Sequence, residues 1–216
     1  MLEQIIQYMP IKGVIHIGAY IGEEFNAYQK AQIKKMIFFE PQYNIYQVLL
    51  QNISRDVKDE DIWVFNQAVG NMSGITNMYI ASNPKDPLLN IPGSASSSIL
   101  EPKKHLTDHP EVVFPYRQEI QINTLDNVMI ENKFNISDFN FLNVDVQGYE
   151  LEVFKGATQT LQYIDFILTE INGDELYKNC ALVEDLDKFL NKYKFQRKQT
   201  EWVCKNWGNA FYRKVQ

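Results

Sequence analysis

Residues 13–24 read GVIHIGAYIGEE. The first six form a short, largely apolar run closed by glycine, the pattern of a strand buried on both faces. Gly18 and Gly22 stand where the chain must turn, and glycine lets a ligand approach the backbone closely. Residues 23–33 then carry helical periodicity, and a helix start offers free N–H groups. The next strand is 36–40 (MIFFE), stopped by Pro41. A second helix is expected over 43–53, with Ile45, Val48, Leu49 and Ile53 along one stripe. Residues 62–69 read as a third strand. Strands alternating with helices of this length predict βαβ units in a parallel sheet.

Downstream the rhythm breaks. Residues 71–81 read as an added hairpin arm. Residues 82–115 are rich in Pro, Ser, Asn and Gly, with Ser94, Ser96, Ser97 and Ser98 close together. An irregular stretch of that length predicts a functional insertion, set at about 82–117. The βα pattern resumes with a strand at 118–122 and a helix at 125–132. A strand at 139–146, a helix at 150–155, a strand at 164–171 and a helix at 183–193 follow. Residues 195–204 and 209–215 read as an antiparallel pair at the sheet edge. Upstream, Leu2, Ile5, Ile6 and Met9 recur at helical spacing. The expectation is one α/β domain over 1–216, Rossmann-like, with a mostly parallel sheet, an antiparallel edge and helices on both faces.

Bulk properties narrow the function classes. The chain has 216 residues and a net charge of −6, which disfavours a nucleic-acid partner because an acidic surface repels phosphate. Cys180 and Cys204 sit in no C-x-x-C or Cys/His cluster, so a zinc site or disulfide framework is not expected. No stretch approaches 18 apolar residues, so no membrane span is expected. Residues 1–10 lack a basic, apolar leader, so the expected location is cytoplasmic.

Several positions could carry chemistry. A dinucleotide site wants G-x-G-x-x-G, with pyrophosphate on the helix start. Here the middle glycine is absent, and Glu23 and Glu24 follow at once. Two carboxylates repel pyrophosphate but suit an ammonium or sulfonium, which favours S-adenosylmethionine (SAM) over a nicotinamide cofactor; an ordinary strand-to-helix turn is the plain alternative. Glu40 ends the second strand, where doubly wound folds place an acid that accepts hydrogen bonds from ribose hydroxyls. Asn66, Gln67 and Ala68 could meet an adenine edge. Asp145, at the end of the 139–146 strand and before Gly148, points into the crevice beyond the strand ends if the strand stops there. It could orient or deprotonate a hydroxyl, bind a metal, or only cap the next helix. Glu170 and Asn172 face the same crevice, and a carboxylate inside FILTEI is costly unless paired or functional. The serine cluster is followed by His105 and His109, and a histidine there could serve as base.

Together these residues resemble the FkbM-type methyltransferases. The matching stretches are VIHIGAYIGEE (14–24), FFEP (38–41), NQAVGN (66–71), SSSILEPKKH (96–105), INTLDNV (122–128), FLNVDVQGYELEVFKGA (141–157) and ILTEI (167–171). They come in the family's order and cover nearly the whole chain. The resemblance implies a class I SAM-dependent methyltransferase fold with a seven-stranded sheet, and transfer to an oxygen, often on a sugar or natural product. By matching position it implies that Gly18, Ala19, Gly22 and Glu40 bind SAM, that Asn66, Gln67 and Ala68 lie by the adenine, and that Asp145 and Glu170 face the acceptor; His16, Glu23, Pro41 and Asp145 complete the candidate cofactor site. The acceptor would meet Ser97, Ser98, His105, Gln147 and Asn172, with Asp145, His105 and Glu170 as candidates for catalysis. Three positions depart from the family: His16 stands where many relatives carry an acid, Asn143 where lysine is common, and Gln147 where glutamate is common.

The expected function is SAM-dependent methyl transfer to a hydroxyl oxygen of a small molecule or glycan, without a required metal. A divalent metal held between Asp145, Glu170 and Asn172 is an alternative. A nicotinamide oxidoreductase and a non-catalytic SAM-binding domain are the competing classes. Neither the acceptor's identity nor the oligomeric state is legible.

Overall fold

The computed structural model describes residues 1–54, 61–83 and 95–215. Its strands are β1 (Gly13–Ile17), β2 (Lys35–Phe39), β3 (Ile62–Phe65), β4 (Ala68–Val69), β5 (Gly74–Ser82), β6 (Val113–Asn123), β7 (Phe141–Val144), β8 (Phe166–Asn172), β9 (Phe195–Trp202) and β10 (Trp207–Lys214). Its helices are α1 (Leu2–Tyr8), α2 (Phe25–Lys30), α3 (Tyr43–Ser54), α4 (His105–Asp108), α5 (Leu125–Glu131), α6 (Glu150–Lys155) and α7 (Val183–Asn191).

Seven strands form the main sheet in the order β3-β2-β1-β7-β8-β10-β9. The first five are parallel, and β10 runs antiparallel between β8 and β9. The mostly parallel α/β architecture with an antiparallel edge is therefore the one expected from the sequence. β1, β7 and β8 are buried along their whole length, which is why they read as apolar runs without alternation. Ile15, Ile17, Leu142, Val144 and Ile167 face α5, α6 and α7, where they meet Leu125, Phe154 and Leu186. Val14, Phe38, Phe141 and Leu168 face the other layer, where they meet Ile5 of α1, Tyr28 of α2 and Leu49 of α3. Each such fully buried side chain contributes roughly 1.5–3 kcal/mol.

The chain runs from β1 outward to β2 and β3, then returns to place β7 on the other side of β1. A crevice opens at such a switch point, beyond the carboxyl ends of the strands. Every candidate on the strand ends is thereby brought toward one place.

Three expectations need correction. Residues 62–69 are not one strand: β3 stops at Phe65, and Ala68–Val69 joins a second, three-stranded sheet in the order β4-β6-β5. The turn between them is held by Asn66, whose side-chain amide donates to the carbonyls of Glu40 (3.0 Å) and Pro41 (3.1 Å). Residues 71–81 do not fold back on themselves: β5 pairs antiparallel with β6, across the insertion. The strand at 118–122 does not resume the main sheet, because β6 spans Val113–Asn123 and lies wholly in the second one. Ile120 and Ile122 pack on Met78 and Ile80, while the intervening side chains stay in solvent. Of the expected insertion, residues 84–94, including Ser94, lie outside the described residues. Both cysteines are free thiols, Cys180 buried and Cys204 exposed. Among the described residues, no helix is long and apolar enough to cross a membrane.

Candidate functional site

The crevice between β1 and β7 opens into a cleft of about 340 Å³, within the range of small-molecule sites. Its floor is the loop after β1. The N–H groups of Gly18 and Ala19 both donate to the Phe39 carbonyl, at 3.0 and 2.9 Å, which ties the loop to β2. Gly18 has φ +80°, and a Cβ there would lie 1.7 Å from the Asp145 carbonyl oxygen. Only glycine lets the ends of β1 and β7 approach this closely. Gly22, at φ +81°, serves differently: its missing Cβ makes room for Leu49 of α3 (2.8 Å). It packs the loop and does not line the cleft.

Glu40 follows β2 and is almost fully buried. Its Oε2 accepts from the Tyr20 N–H (3.1 Å) and its Oε1 from the Gln42 N–H (2.8 Å). Burial nevertheless pushes its carboxyl up to about 8, the backbone donors pulling the other way. Such a carboxyl is held rigidly and still wants further donors, which two ribose hydroxyls would supply. Pro41, Gln67, Ala68 and Glu23 also border the cleft. Asn66 does not: its amide is spent on the turn described above.

His16 lines the cleft but is buried, and burial lowers its imidazole to about 4. It is held in a neutral trio. The Asn143 amide donates to the Tyr28 hydroxyl (2.8 Å) and lies 3.2 Å from His16 Nε2, while the Tyr28 hydroxyl lies 3.4 Å from Nδ1. Tyr28 carries no motif, so nothing in the local sequence marks this arrangement. The departures at 16 and 143 are thus one unit.

Asp145 lies just past β7, solvent-exposed and bordering the cleft. It is not the cap of α6. The N-cap there is Tyr149, and Glu150 Oε1 accepts from the N–H groups of Val146 (3.2 Å) and Gly148 (3.0 Å) to hold the turn. Gln147 has φ +56°, rare for a residue with a side chain. Its amide nitrogen donates to Asp145 Oδ1 and to Glu170 Oε2, both at 2.7 Å. Its Oε1 lies 3.2 Å from the Tyr177 hydroxyl, and its carbonyl accepts from Ser98 Oγ (2.7 Å). Burial, then the neighbouring carboxylates, drives Glu170 well above the usual carboxyl range; Asp145 is also raised, and Glu150 is pushed up to about 7 by burial. Glu170 is buried and lies off the cleft lining, its raised carboxyl favouring the protonated form, whereas Asp145 borders the cleft.

Other expected acceptor residues separate. Ser97 lines the cleft and bridges Ala81 N–H (3.0 Å) and Gln42 (3.1 Å). Ser98 lies outside it, anchoring Gln147. His105 is also outside, packed against His109, Phe114 and Tyr177 at 4.9–5.4 Å between ring centres. Its burial lowers the imidazole to about 4, and its Nδ1 has no hydrogen-bond partner among the described residues. Asn172 is fully buried behind Glu170 and does not reach the cleft. Among the described residues, no group of three or more His, Cys, Asp or Glu is arranged to hold a metal ion. The Gln147 amide sits between Asp145 and Glu170, the place a cation would take. Residues that sequence reasoning missed come from far along the chain: Leu2, Glu201, Val203 and Asn209 all border the cleft. They carry no motif, and only the fold of α1 and the β9–β10 hairpin brings them there.

Known proteins share this build. The chain is 25% identical over 166 residues to the 2-O-methyltransferase NoeI of Sinorhizobium fredii, a match covering 76% of this chain and 65% of that protein. The crystal structure of an FkbM methyltransferase from Methylobacillus flagellatus superposes with a TM-score of 0.59 at 15% identity, covering 93% of this chain and 43% of the other. The Streptococcus pneumoniae protein Sp1610, solved with S-adenosyl-L-methionine, gives 0.54 at 13% identity, covering 100% and 71%. These likenesses establish the class I SAM-dependent methyltransferase fold, while the chain spans less than two thirds of the length of the first two proteins. The model of the methyltransferase FkbM domain matches residues 16–197, so the chain belongs to the FkbM methyltransferase family.

Proposed function

We propose that this protein is a SAM-dependent O-methyltransferase whose acceptor is a hydroxyl of a small molecule or glycan, most simply a sugar. The observation that carries the reading is the cleft itself. At one end a buried, backbone-anchored Glu40 awaits a diol, and at the other Asp145, joined through the Gln147 amide to the buried Glu170, awaits a proton. The name of the relative, a 2-O-methyltransferase, supports oxygen as the acceptor atom.

The residues fit SAM better than a dinucleotide. Glu23 and Glu24 stand at the start of α2, where a pyrophosphate would lie. Glu40 takes the ribose, and Gln67 and Ala68 border the adenine. Bound SAM supplies an electrophilic methyl group on a cationic sulfur. The protein's part is to align the acceptor oxygen with that carbon and sulfur, since positioning alone provides much of such a rate. Gly18, Ala19 and Glu40 would hold SAM in the cleft, where it would supply its methyl group to the acceptor oxygen and be released as S-adenosylhomocysteine. Asp145 receives the hydroxyl proton late in the step. Gln147 positions both acids but touches no reacting atom.

Isothermal titration with SAM, S-adenosylhomocysteine and NAD, followed by methyl transfer to a panel of neutral sugars, tests the reading. SAM binding with turnover on a sugar is expected. NAD binding without SAM binding would replace it with the oxidoreductase class. SAM binding without turnover on any hydroxyl would leave a cofactor-binding domain.

A further inference from the structure

Gln147 is held in a backbone conformation that a residue with a side chain does not favour. Its φ is +56°, and Gly148 follows at +94°. Such a conformation persists where the surroundings hold it. The hold here comes from outside the turn between β7 and α6. Ser98, fully buried, donates its hydroxyl hydrogen to the Gln147 carbonyl at 2.7 Å and accepts from the Leu100 N–H at 3.0 Å. Both bonding directions of its Oγ are thereby used. Ser98 is itself fixed by its backbone. Its N–H donates to the Tyr79 carbonyl (3.1 Å), and its carbonyl accepts from the Tyr79 N–H (2.7 Å). Tyr79 belongs to β5, so a hydroxyl tied to the three-stranded sheet reaches the turn that follows Asp145.

We propose that Ser98 is a positioning residue for Asp145: its bond to the Gln147 carbonyl keeps Gln147 left-handed, and that backbone keeps the Gln147 amide on Asp145 and Glu170. Its bearing on methyl transfer rests on the reading of Asp145 as the group that takes the acceptor's proton. The bond to the carbonyl fixes the peptide that follows Gln147, and with it the direction in which the side chain leaves the turn. From there the amide nitrogen reaches Asp145 Oδ1 and Glu170 Oε2, both at 2.7 Å. Loss of one buried hydrogen bond is comparable to the strain it offsets. Without the Ser98 hydroxyl, Gln147 relaxes toward an ordinary backbone angle and its amide leaves the acids. Asp145 then loses the donor that holds it in place. Ser98 touches no reacting atom; it acts through Gln147.

The test reads the Gln147 amide directly and needs neither cofactor nor acceptor, so its outcome is separate from that of the methyl-transfer reading. The whole chain is labelled with nitrogen-15 in its glutamine side chains, and the Gln147 signal is the one lost from the NMR spectrum of Gln147→Met. In the wild-type background that signal should move on Asp145→Asn. In Ser98→Ala its hydrogens should exchange with water roughly tenfold faster. Asp145→Asn added to Ser98→Ala should then leave the signal where it is, because the amide no longer lies on Asp145. Ser98→Cys keeps the bulk and is a weak donor; it should speed exchange in the same direction, and it stands in if Ser98→Ala does not fold. The backbone amides of β7 report the fold and should exchange at wild-type rates. An unchanged Gln147 amide in the Ser98 variants overturns the assignment. So does an equal acceleration at β7, which marks a general loosening. If wild-type protein methylates no hydroxyl while the Gln147 amide responds as stated, the methyl-transfer reading has failed and the positioning role stands.

Discussion

Gly18→Ala should do the most damage of any glycine-to-alanine change among the described residues. Two penalties coincide. At φ +80° an L-residue is strained by roughly 1–2 kcal/mol. The added Cβ would also fall 1.7 Å from the Asp145 carbonyl oxygen and 2.8 Å from its carbon. Neither atom is a side-chain end that can swing away, so the ends of β1 and β7 must part by more than about 1 Å to reach ordinary contact. That shift strains the bonds from the Gly18 and Ala19 N–H groups to Phe39, and it moves Asp145 relative to Glu40. A displacement of this size costs about 100-fold where alignment matters. Gly74→Ala is the control: its φ of +137° is equally unsuited to alanine, yet no atom lies within 4 Å of the added Cβ. It should lose roughly 1–3 kcal/mol from backbone strain and bind SAM normally. Thermal unfolding and isothermal titration with SAM separate the two effects. If Gly18→Ala binds SAM within a few-fold of wild type, the close approach of β1 and β7 does not build the cofactor site.

Three further outcomes follow from the same geometry. Asp145→Asn, measured as turnover with SAM affinity in parallel, should slow methyl transfer by about 10²- to 10⁴-fold while SAM still binds; turnover within a few-fold of wild type removes Asp145 as the base. Glu40→Ala should weaken SAM by roughly 10–100-fold in isothermal titration, as expected for loss of a carboxylate acceptor, and unchanged affinity in folded protein counts against the ribose assignment. Stability should depend on pH in a defined direction. Glu40 and Glu150 are raised to about 8 and about 7, so the fold keeps protons that the unfolded chain releases. The stability they confer is full below about 4.5 and is lost as pH rises through 7 to 8. His16 and His105 are lowered to about 4, so they erode stability as pH falls from about 6.5 toward 4. Unfolding temperature should peak between these limits, and Glu40→Gln should flatten the alkaline fall, by an amount on the order of 4 kcal/mol; an unchanged alkaline limb in that variant refutes the burial argument.

The parts of this molecule legible in its sequence are those where one physical demand dominates. β1, β2, β7 and β8 are buried on both faces, and they read as strands because short apolar runs spaced by helical segments fit a buried parallel sheet. Gly18 and Glu40 were legible because a tight turn and a strand-end acid recur at a fixed spacing. Where two demands compete, the reading blurred. Asn66 looks like a ligand in the sequence because an amide can meet a base edge as well as a carbonyl; only the 3.0 and 3.1 Å bonds to Glu40 and Pro41 show which it serves. His105 looks like a base because its burial under Phe114 and Tyr177 leaves no mark on local sequence. The second sheet was hidden because β5 and β6 pair across some thirty residues, a contact that no local periodicity encodes.

The family departures at His16, Asn143 and Gln147 make sense together. A lysine at 143 would put a cation beside Asp145, and a glutamate at 147 would put a third acid against Asp145 and Glu170. Here both charges are absent at once, so the balance is kept while the bonding changes. Asn143 turns to His16 and Tyr28 instead of to the acids. Gln147 supplies the donor that the acids would otherwise lack, with its amide nitrogen 2.7 Å from each. The Tyr177 hydroxyl lies 3.2 Å from its other end and donates at 2.8 Å to the Ser96 carbonyl. A dicarboxylate that would have been pinned by a protein ammonium is instead held by a neutral amide. That leaves Asp145 on the cleft with no lysine or arginine among the residues that line it.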